Sequence, residues 1–310
     1  METLPSASSF LHELREPVAA ARGVRLLLWR DDLVNPELPG NKARKLKYNL
    51  AAAQAQGQHT LLTFGGAYSN HIAAVATAGR LYGFQTIGLI RGEAATKLNP
   101  TLRQATADGM RLHYLDRSSY RRRPEPEFIA ELLARFGPAY VLPEGGSNAL
   151  ALTGCAELVG EIRALTSFEA LAVAAGSGGT LAGLLQGLGG QQYAVGIAAL
   201  KGGSFLSNDI DGLIQQATGQ IYSNYSLQTG YHFGGYAAYS AELLAFIQRF
   251  QAQHGVLLDP IYTGKLMLGV LDLIAKGYFA RGSTVVAIHT GGQQAWAGWH
   301  ERFGTDPEIS

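Results

Sequence analysis

The chain has one cysteine, Cys155, in 310 residues. A single thiol excludes an internal disulfide framework and any multi-cysteine metal site, and it fits a reducing compartment. Charge is also scarce, at 16% of residues against about 25% in an average globular chain. The 25 basic and 24 acidic residues nearly cancel to a net charge of +1, which gives no case for nucleic acid or an anionic membrane as a partner. No apolar run approaches the roughly 18 residues that a membrane-spanning helix needs. The start, Met1 to Ser6, has no basic stretch leading into an apolar one, so a soluble, cytoplasmic protein is expected. The eight histidines are scattered, with no His-Glu-x-x-His pair and no cysteine partner, so no metal is expected. A serine hydrolase elbow is missing too: Ser69 lacks the glycine two residues on, and Ala175 stands where Ser177 would need one two residues before.

What is plentiful is glycine, 39 residues or about 13%, where about 7% is usual. Glycine permits tight turns and lets a ligand approach the backbone. Apolar residues, 47% of the chain, are enough for sizeable cores, and the length suggests about two domains of ~150 residues each. Short apolar runs alternate with helical stretches. Strands are expected at Val24–Trp29, Thr60–Phe64, Thr86–Ile90, Arg111–Leu115, Ala139–Leu142, Leu171–Ala174, Ala194–Ala198 and Val285–His289. Helices are expected at Asn70–Tyr82, Thr101–Asp108, Ala149–Leu165 and Thr180–Leu188. This pattern predicts an α/β fold with parallel sheets covered on both faces. Cys155 falls in a helical stretch, which favours a buried packing role. The mixed-sign cluster from Arg117 to Glu127 reads as a solvated loop.

Ligands of open parallel sheets bind beyond the carboxyl ends of the strands, and every promising motif here follows a strand candidate. Ala175-Gly176-Ser177-Gly178-Gly179-Thr180 opens a helix, where free N–H groups favour an anion. Leu181 stands where a dinucleotide fingerprint would need glycine, and the only Gly-Lys pair, Gly264-Lys265, is followed by Leu266, which excludes a P-loop. A monophosphate cradle survives both tests, beside the alternative of a plain tight turn. Gly65-Gly66-Ala67-Tyr68-Ser69-Asn70-His71 either caps a helix or holds a carboxylate and a phenolic oxygen. Pro143-Glu144-Gly145-Gly146-Ser147-Asn148 has the same form. Thr290, in Ile288-His289-Thr290-Gly291-Gly292, can offer its hydroxyl to a ring nitrogen. Tyr262 offers a face for stacking or packs in the core. Pro39-Gly40-Asn41-Lys42-Ala43-Arg44-Lys45-Leu46 sets Lys42 at a turn where a helix begins. Shielded from water beside other cations, such a lysine loses basicity and can attack a carbonyl, as a Schiff-base lysine for pyridoxal phosphate (PLP) must. Arg44, Lys45 and Lys47 read equally well as a solvated helix face.

Together these motifs resemble the 1-aminocyclopropane-1-carboxylate (ACC) deaminase / D-cysteine desulfhydrase family, within the fold type II, tryptophan synthase β-like PLP enzymes. The likeness runs from Trp29-Arg30-Asp31-Asp32-Leu33 through the Lys42, Ser69, Glu144, Gly176 and Tyr262 segments to His289-Thr290-Gly291-Gly292. Pro39 departs from it, where the family often has a second glycine, and the chain is somewhat short. The resemblance implies two open, mostly parallel twisted sheets covered by helices, with PLP in the cleft between two domains. Residues 1–45 and 159–310 would form the large PLP-binding domain and 46–158 the small one. It further implies that Lys42 anchors PLP covalently, with Ser69 and Tyr262 as further catalytic residues. Asn70 would meet the cofactor's phenolic oxygen. Gly176, Ser177, Gly178, Gly179 and Thr180 would hold its phosphate, Tyr262 would lie by its ring, and Thr290 would complete the cofactor set. Ser69, Asn70, His71 and Thr263 would face a small amino-acid substrate, and the assembly would be a homodimer.

Members of the deaminase branch look like Ser-Asn-Gln, Tyr-Glu-Gly-Lys and His-Leu-Gly-Gly. This chain has Ser69-Asn70-His71, Tyr262-Thr263-Gly264-Lys265 and His289-Thr290-Gly291-Gly292, which is similar to the desulfhydrase branch. A carboxylate keeps a pyridine nitrogen protonated and strengthens the electron sink, whereas a threonine hydroxyl only hydrogen-bonds a neutral nitrogen. The expectation is therefore a PLP-dependent lyase that converts D-cysteine to pyruvate, sulfide and ammonia by α,β-elimination. ACC deaminase activity, giving 2-oxobutanoate and ammonia, is the alternative, and a PLP-binding protein without turnover is the second. His71 and Tyr262 are candidates for proton transfer.

Overall fold

The computed structural model describes residues 7–94 and 96–303. The N-terminal reading of Met1 to Ser6 lies outside the described residues. The strands are β1 (Leu11–Glu13), β2 (Arg25–Arg30), β3 (Thr60–Gly65), β4 (Gln85–Arg91), β5 (Met110–Leu115), β6 (Tyr140–Leu142), β7 (Ala170–Ala175), β8 (Tyr193–Ala198), β9 (Tyr225–Gln228) and β10 (Thr284–His289). A six-stranded sheet has the order β1-β2-β10-β7-β8-β9, and a four-stranded sheet has the order β5-β4-β3-β6. The short β1 runs antiparallel to β2, and the other pairings are parallel. This is the α/β architecture that the alternation predicts. Each expected strand is present to within a residue or two. Only β1 and β9 go unanticipated, because both are edge strands without a continuous apolar run.

The central strands are apolar throughout because both faces are covered. Successive side chains of β7 point to opposite faces. Ala170, Ala172 and Ala174 enter one core with Leu26, Leu28, Met267 and Val270. Leu171, Val173 and Ala175 enter the other with Leu27, Trp29, Leu181 and Leu185. In β3, Leu61 faces one core of the smaller sheet, and Leu62 and Phe64 face its other core. Among the described residues, no helix is long and apolar enough to cross a membrane, and no group of His, Cys, Asp or Glu could hold a metal ion.

Two long helices, Asn41–Ala55 and Ala149–Arg163, pack against each other. The expected domain boundaries, 45/46 and 158/159, fall inside these two helices. Gly154 makes the contact close: a Cβ there would lie 2.0 Å from the carbonyl oxygen of Arg44. Cys155 is buried on the same helix, and burial pushes its thiol up to about 11. It is therefore an inert packing residue. The cluster after Arg117 is solvated as expected, but it is not a loop. Asp116 accepts from the N–H groups of Ser118 and Ser119 and caps a short helix, Arg117–Arg121, and Tyr120 turns inward.

Replacing Gly154 by alanine forces a methyl group against main chain that cannot swing away. The expected result is a loss of about 1–3 kcal/mol of stability, read as a lower thermal midpoint. An unchanged midpoint would mean that the helices are not in the contact described.

Candidate active site

Lys42 is held by what surrounds the start of its helix. Gly40 adopts φ +73°, and a Cβ there would lie 2.0 Å from the carbonyl oxygen of Thr290, so only glycine fits between the helix start and the end of β10. The Asn41 N–H donates to that same oxygen at 3.3 Å, and the Gly40 N–H donates to the Asp31 carbonyl at 3.1 Å. One turn further on, Arg44 donates to Asp31 Oδ1 at 2.8 Å and to both Glu161 oxygens at 2.7 Å. These bonds fix the helix at the carboxyl ends of β2 and β10.

Lys45 follows Lys42 by three residues, so the two share a helix face. It is buried, and its Nζ donates to Gly145 O and Ser147 Oγ, each at 3.0 Å. Ser147 Oγ in turn bonds Ser177 Oγ at 2.9 Å. Thr180 accepts from Asn41 Nδ2 at 2.8 Å. The helix Gly179–Leu188 begins here, and its first N–H groups have no intrahelical acceptor. A Cβ on Gly179 would lie 2.3 Å from Ser147 Oγ and 2.9 Å from Lys45 Nζ, so the ammonium lies directly at this helix end. Free amides, a positive helix terminus and a buried lysine form a cradle that fits a phosphate monoester.

A cavity of about 290 Å³ opens beside Lys42, and its lining includes Asn41, Lys42, Asn70, Thr290, Gly292 and Gln294. Asn70 Oδ1 accepts from Gln294 Nε2 at 3.0 Å. Burial, then the charge of Lys45, lowers the Lys42 ammonium to about 7. A far larger share of the amine is therefore unprotonated at neutral pH than for an exposed lysine. That is a nucleophilic amine and a base near neutrality.

Tyr262 lies against the phosphate-loop backbone, where a Cβ on Gly176 would meet its ring at 2.9 Å. Tyr236 stands edge-on to it, with ring centroids 6.2 Å apart. Burial, then the neighbouring Tyr236, raises the Tyr262 phenol well above its usual value, and burial raises Tyr236 as well. Both phenols therefore stay protonated at neutral pH and can donate.

Two expected substrate contacts, Thr263 and His71, are turned away, and Ser69 is partly engaged. Thr263 is fully buried, and its hydroxyl donates to Asp259 Oδ2 at 2.6 Å while accepting from the Asp259 N–H at 2.7 Å. His71 is buried with Nε2 2.9 Å from Thr63 Oγ1, and that hydroxyl donates to Leu142 O. Its ring therefore carries the proton on Nε2. Burial, then Lys42 and Lys45, pushes its pKa well down and keeps it neutral. Ser69 caps the helix Asn70–Tyr82, accepting from the His71 and Ile72 N–H groups at 3.2 and 3.3 Å, with only its own proton left to give.

The structure also brings to the site residues to which the sequence reading gives no role there, namely Lys45, Asn41, Ser147, Tyr236 and Gln294. For Lys45 the signal is the three-residue spacing from Lys42. For Tyr236 there is none, because it sits in an irregular segment.

The pKa of Lys42 has a direct check. In the protein freed of cofactor, acylation of Lys42 followed by mass spectrometry is expected to accelerate as pH rises and to level off above about 7. Exposed lysines keep accelerating toward about 10. A Lys42 midpoint near 10 would contradict the burial described.

Comparison with known proteins gives the family. The family model for "Pyridoxal-phosphate dependent enzyme" matches residues 11–291. A Pyrococcus horikoshii protein provisionally named 1-aminocyclopropane-1-carboxylate deaminase is 35% identical, over 87% of this chain and 85% of its own. A Serratia proteamaculans protein named D-cysteine desulfhydrase is 32% identical, over 90% and 89%. A crystal structure of an ACC deaminase homologue superposes with a TM-score of 0.83 at 32% identity, covering 94% of this chain and 91% of that one.

Proposed function

The chain belongs to the pyridoxal-phosphate dependent enzyme family, and from that premise we propose that it is a lyase acting on D-cysteine, yielding pyruvate, sulfide and ammonia with uptake of one water. The observation that carries this reading is Lys42: an amine at the start of its helix, shielded from water in a cavity with Asn70 and Thr290, beside a phosphate cradle. Bound there, PLP supplies an electron sink for the pair left when the substrate Cα–H bond breaks.

In this reading the protein's own groups do the rest. Gly176 to Thr180 and Lys45 hold the phosphate, Asn70 meets the phenolic oxygen, and Thr290 reaches the ring nitrogen. Lys42 Nζ takes the Cα proton. Tyr262, and Tyr236 across from it, present protonated phenols, so they hydrogen-bond the departing sulfur and donate to it rather than act as bases. Ser69 gives its remaining hydroxyl proton to the substrate carboxylate. Neither His71 nor Thr263 takes a direct part.

The choice of elimination over cyclopropane opening is supported at the cavity wall. Asp259 comes within 3.1 Å of where a Gly292 Cβ would lie. Its carboxylate is already committed to the N–H groups of Ile261, Tyr262 and Thr263 and to the Thr263 hydroxyl. It is not free to keep a ring nitrogen protonated, which leaves the weaker sink that β-elimination needs. ACC deaminase remains the second reading, favoured by the Pyrococcus relative and the solved homologue. The same proposal includes a cofactor-binding domain of residues 1–45 and 159–310, a small domain of 46–158, a homodimer and a cytoplasmic setting. The division of strands between the two sheets supports the domains, and the single buried Cys155 supports the compartment.

Two outcomes are expected. The purified holoenzyme releases sulfide and pyruvate from D-cysteine, and formation of 2-oxobutanoate from ACC without sulfide from D-cysteine would overturn the substrate assignment. Lys45→Met removes a buried ammonium that has no carboxylate bonded to it, so stability without cofactor is unchanged or higher. PLP affinity, measured by titration, falls about 10- to 100-fold. Undiminished affinity would remove Lys45 from the phosphate site.

A further inference from the structure

Lys265 is fully buried in the first turn of the helix Thr263–Ala275, two residues after Thr263 and three after Tyr262. Its Nζ donates to Ala199 O at 3.3 Å, His232 O at 2.9 Å and Gly235 O at 2.8 Å. None of these partners is a carboxylate. A cation in the first turn opposes the helix dipole, and burying it without an ion-pair partner is unfavourable. A methionine of nearly the same length would avoid both costs. What only the ammonium supplies is three N–H donors for three carbonyls.

Two of those carbonyls belong to the irregular stretch between β9 and the helix Ala241–His254. Among the described residues, the non-glycine positions with positive φ are Phe233 at 49° and Ala237 at 55°. Both lie in this stretch, on either side of Tyr236. Left-handed backbone at such residues persists only where the surroundings hold it. The flanks are tied by side chains: Tyr231 donates to Asp272 at 2.6 Å, and the Tyr239 ring lies 3.9 Å from that of Trp299, centroid to centroid. At the centre stand the Lys265 bonds and two turns, Gly235 N–H to His232 O and Ala238 N–H to Gly235 O. The helix turn that carries Tyr262 therefore also grips the backbone that carries Tyr236.

We infer that Lys265 is a positioning residue, a carbonyl clamp that holds the 232–236 segment over the cleft and sets Tyr236 against Tyr262. This inference rests on the reading of the tyrosine pair as the substrate side of the site, but its first test requires no turnover. In Lys265→Met holoenzyme, hydrogen exchange of peptides covering 232–239 is expected to accelerate at least about tenfold, while peptides from β3 to β6 keep their wild-type rates. Unchanged exchange at 232–239, or equal acceleration everywhere, overturns the clamp.

A second variant covers the case in which methionine is not tolerated. Lys265→Ala leaves a space lined by three carbonyls, which methylammonium fits and tetramethylammonium does not. At equal ionic strength, protection of 232–239 is expected to return with methylammonium only, and rescue by neither salt or by both alike overturns the inference. With whichever amino acid proves to be turned over, KM rises about tenfold in the variant while the bound-cofactor absorbance is unchanged. If no amino acid is turned over, the exchange result still decides the clamp, while the functional reading fails separately.

Discussion

Two lysines one helical turn apart, one partly and one fully buried, share a cleft without a bonded carboxylate partner. Neutral oxygens take their hydrogen bonds: Asn41 Oδ1 for Lys42, and Gly145 O with Ser147 Oγ for Lys45. The neighbouring Arg44 does the opposite, gathering Asp31 and Glu161. The helix thus separates its cations: Arg44 and, with Glu157, Lys47 are neutralised, and Lys42 and Lys45 are left without a carboxylate at the cleft. Unneutralised charge in a low-dielectric site depresses the pKa of the lysine that feels it and attracts an anion. Burial first, and then the charge of Lys45, lowers the pKa of Lys42, and the same unneutralised Lys45 attracts a phosphate group.

The rest of the fold serves that arrangement. Parallel strands place their carboxyl ends on one side, and β2, β3, β6, β7 and β10 each run directly into a loop that reaches the site. Asp31 follows β2, the Gly65–Asn70 turn follows β3, and Ser147 comes from the loop after β6. Gly176 follows β7 and Thr290 follows β10. The Gly154 and Gly40 contacts then bring the Lys42 helix close enough for its amines to meet these loops.

The fold was legible because strands buried on both faces must be apolar along their whole length, as β3, β4, β7, β8 and β10 are. Lys42 and the Gly176 loop were legible for a related reason, since turns that approach a ligand need glycine. Lys45 was not, because a buried helix lysine and a solvated one look alike until a second helix covers the face. Thr263 and His71 have the right chemistry in the right loops, yet their directions are set by Asp259 and Thr63, residues chosen by tertiary packing. Tyr236 lies in backbone held by Lys265 from a different part of the chain, and no local pattern encodes such a contact.

The central claim is that Lys42, and neither of the other buried lysines, carries the cofactor. Borohydride reduction of the yellow holoenzyme, followed by proteolysis and mass spectrometry, tests it most directly. The account predicts a reduced phosphopyridoxyl group on Lys42 alone. The same group on Lys45 or Lys265, with Lys42 unmodified, would contradict it.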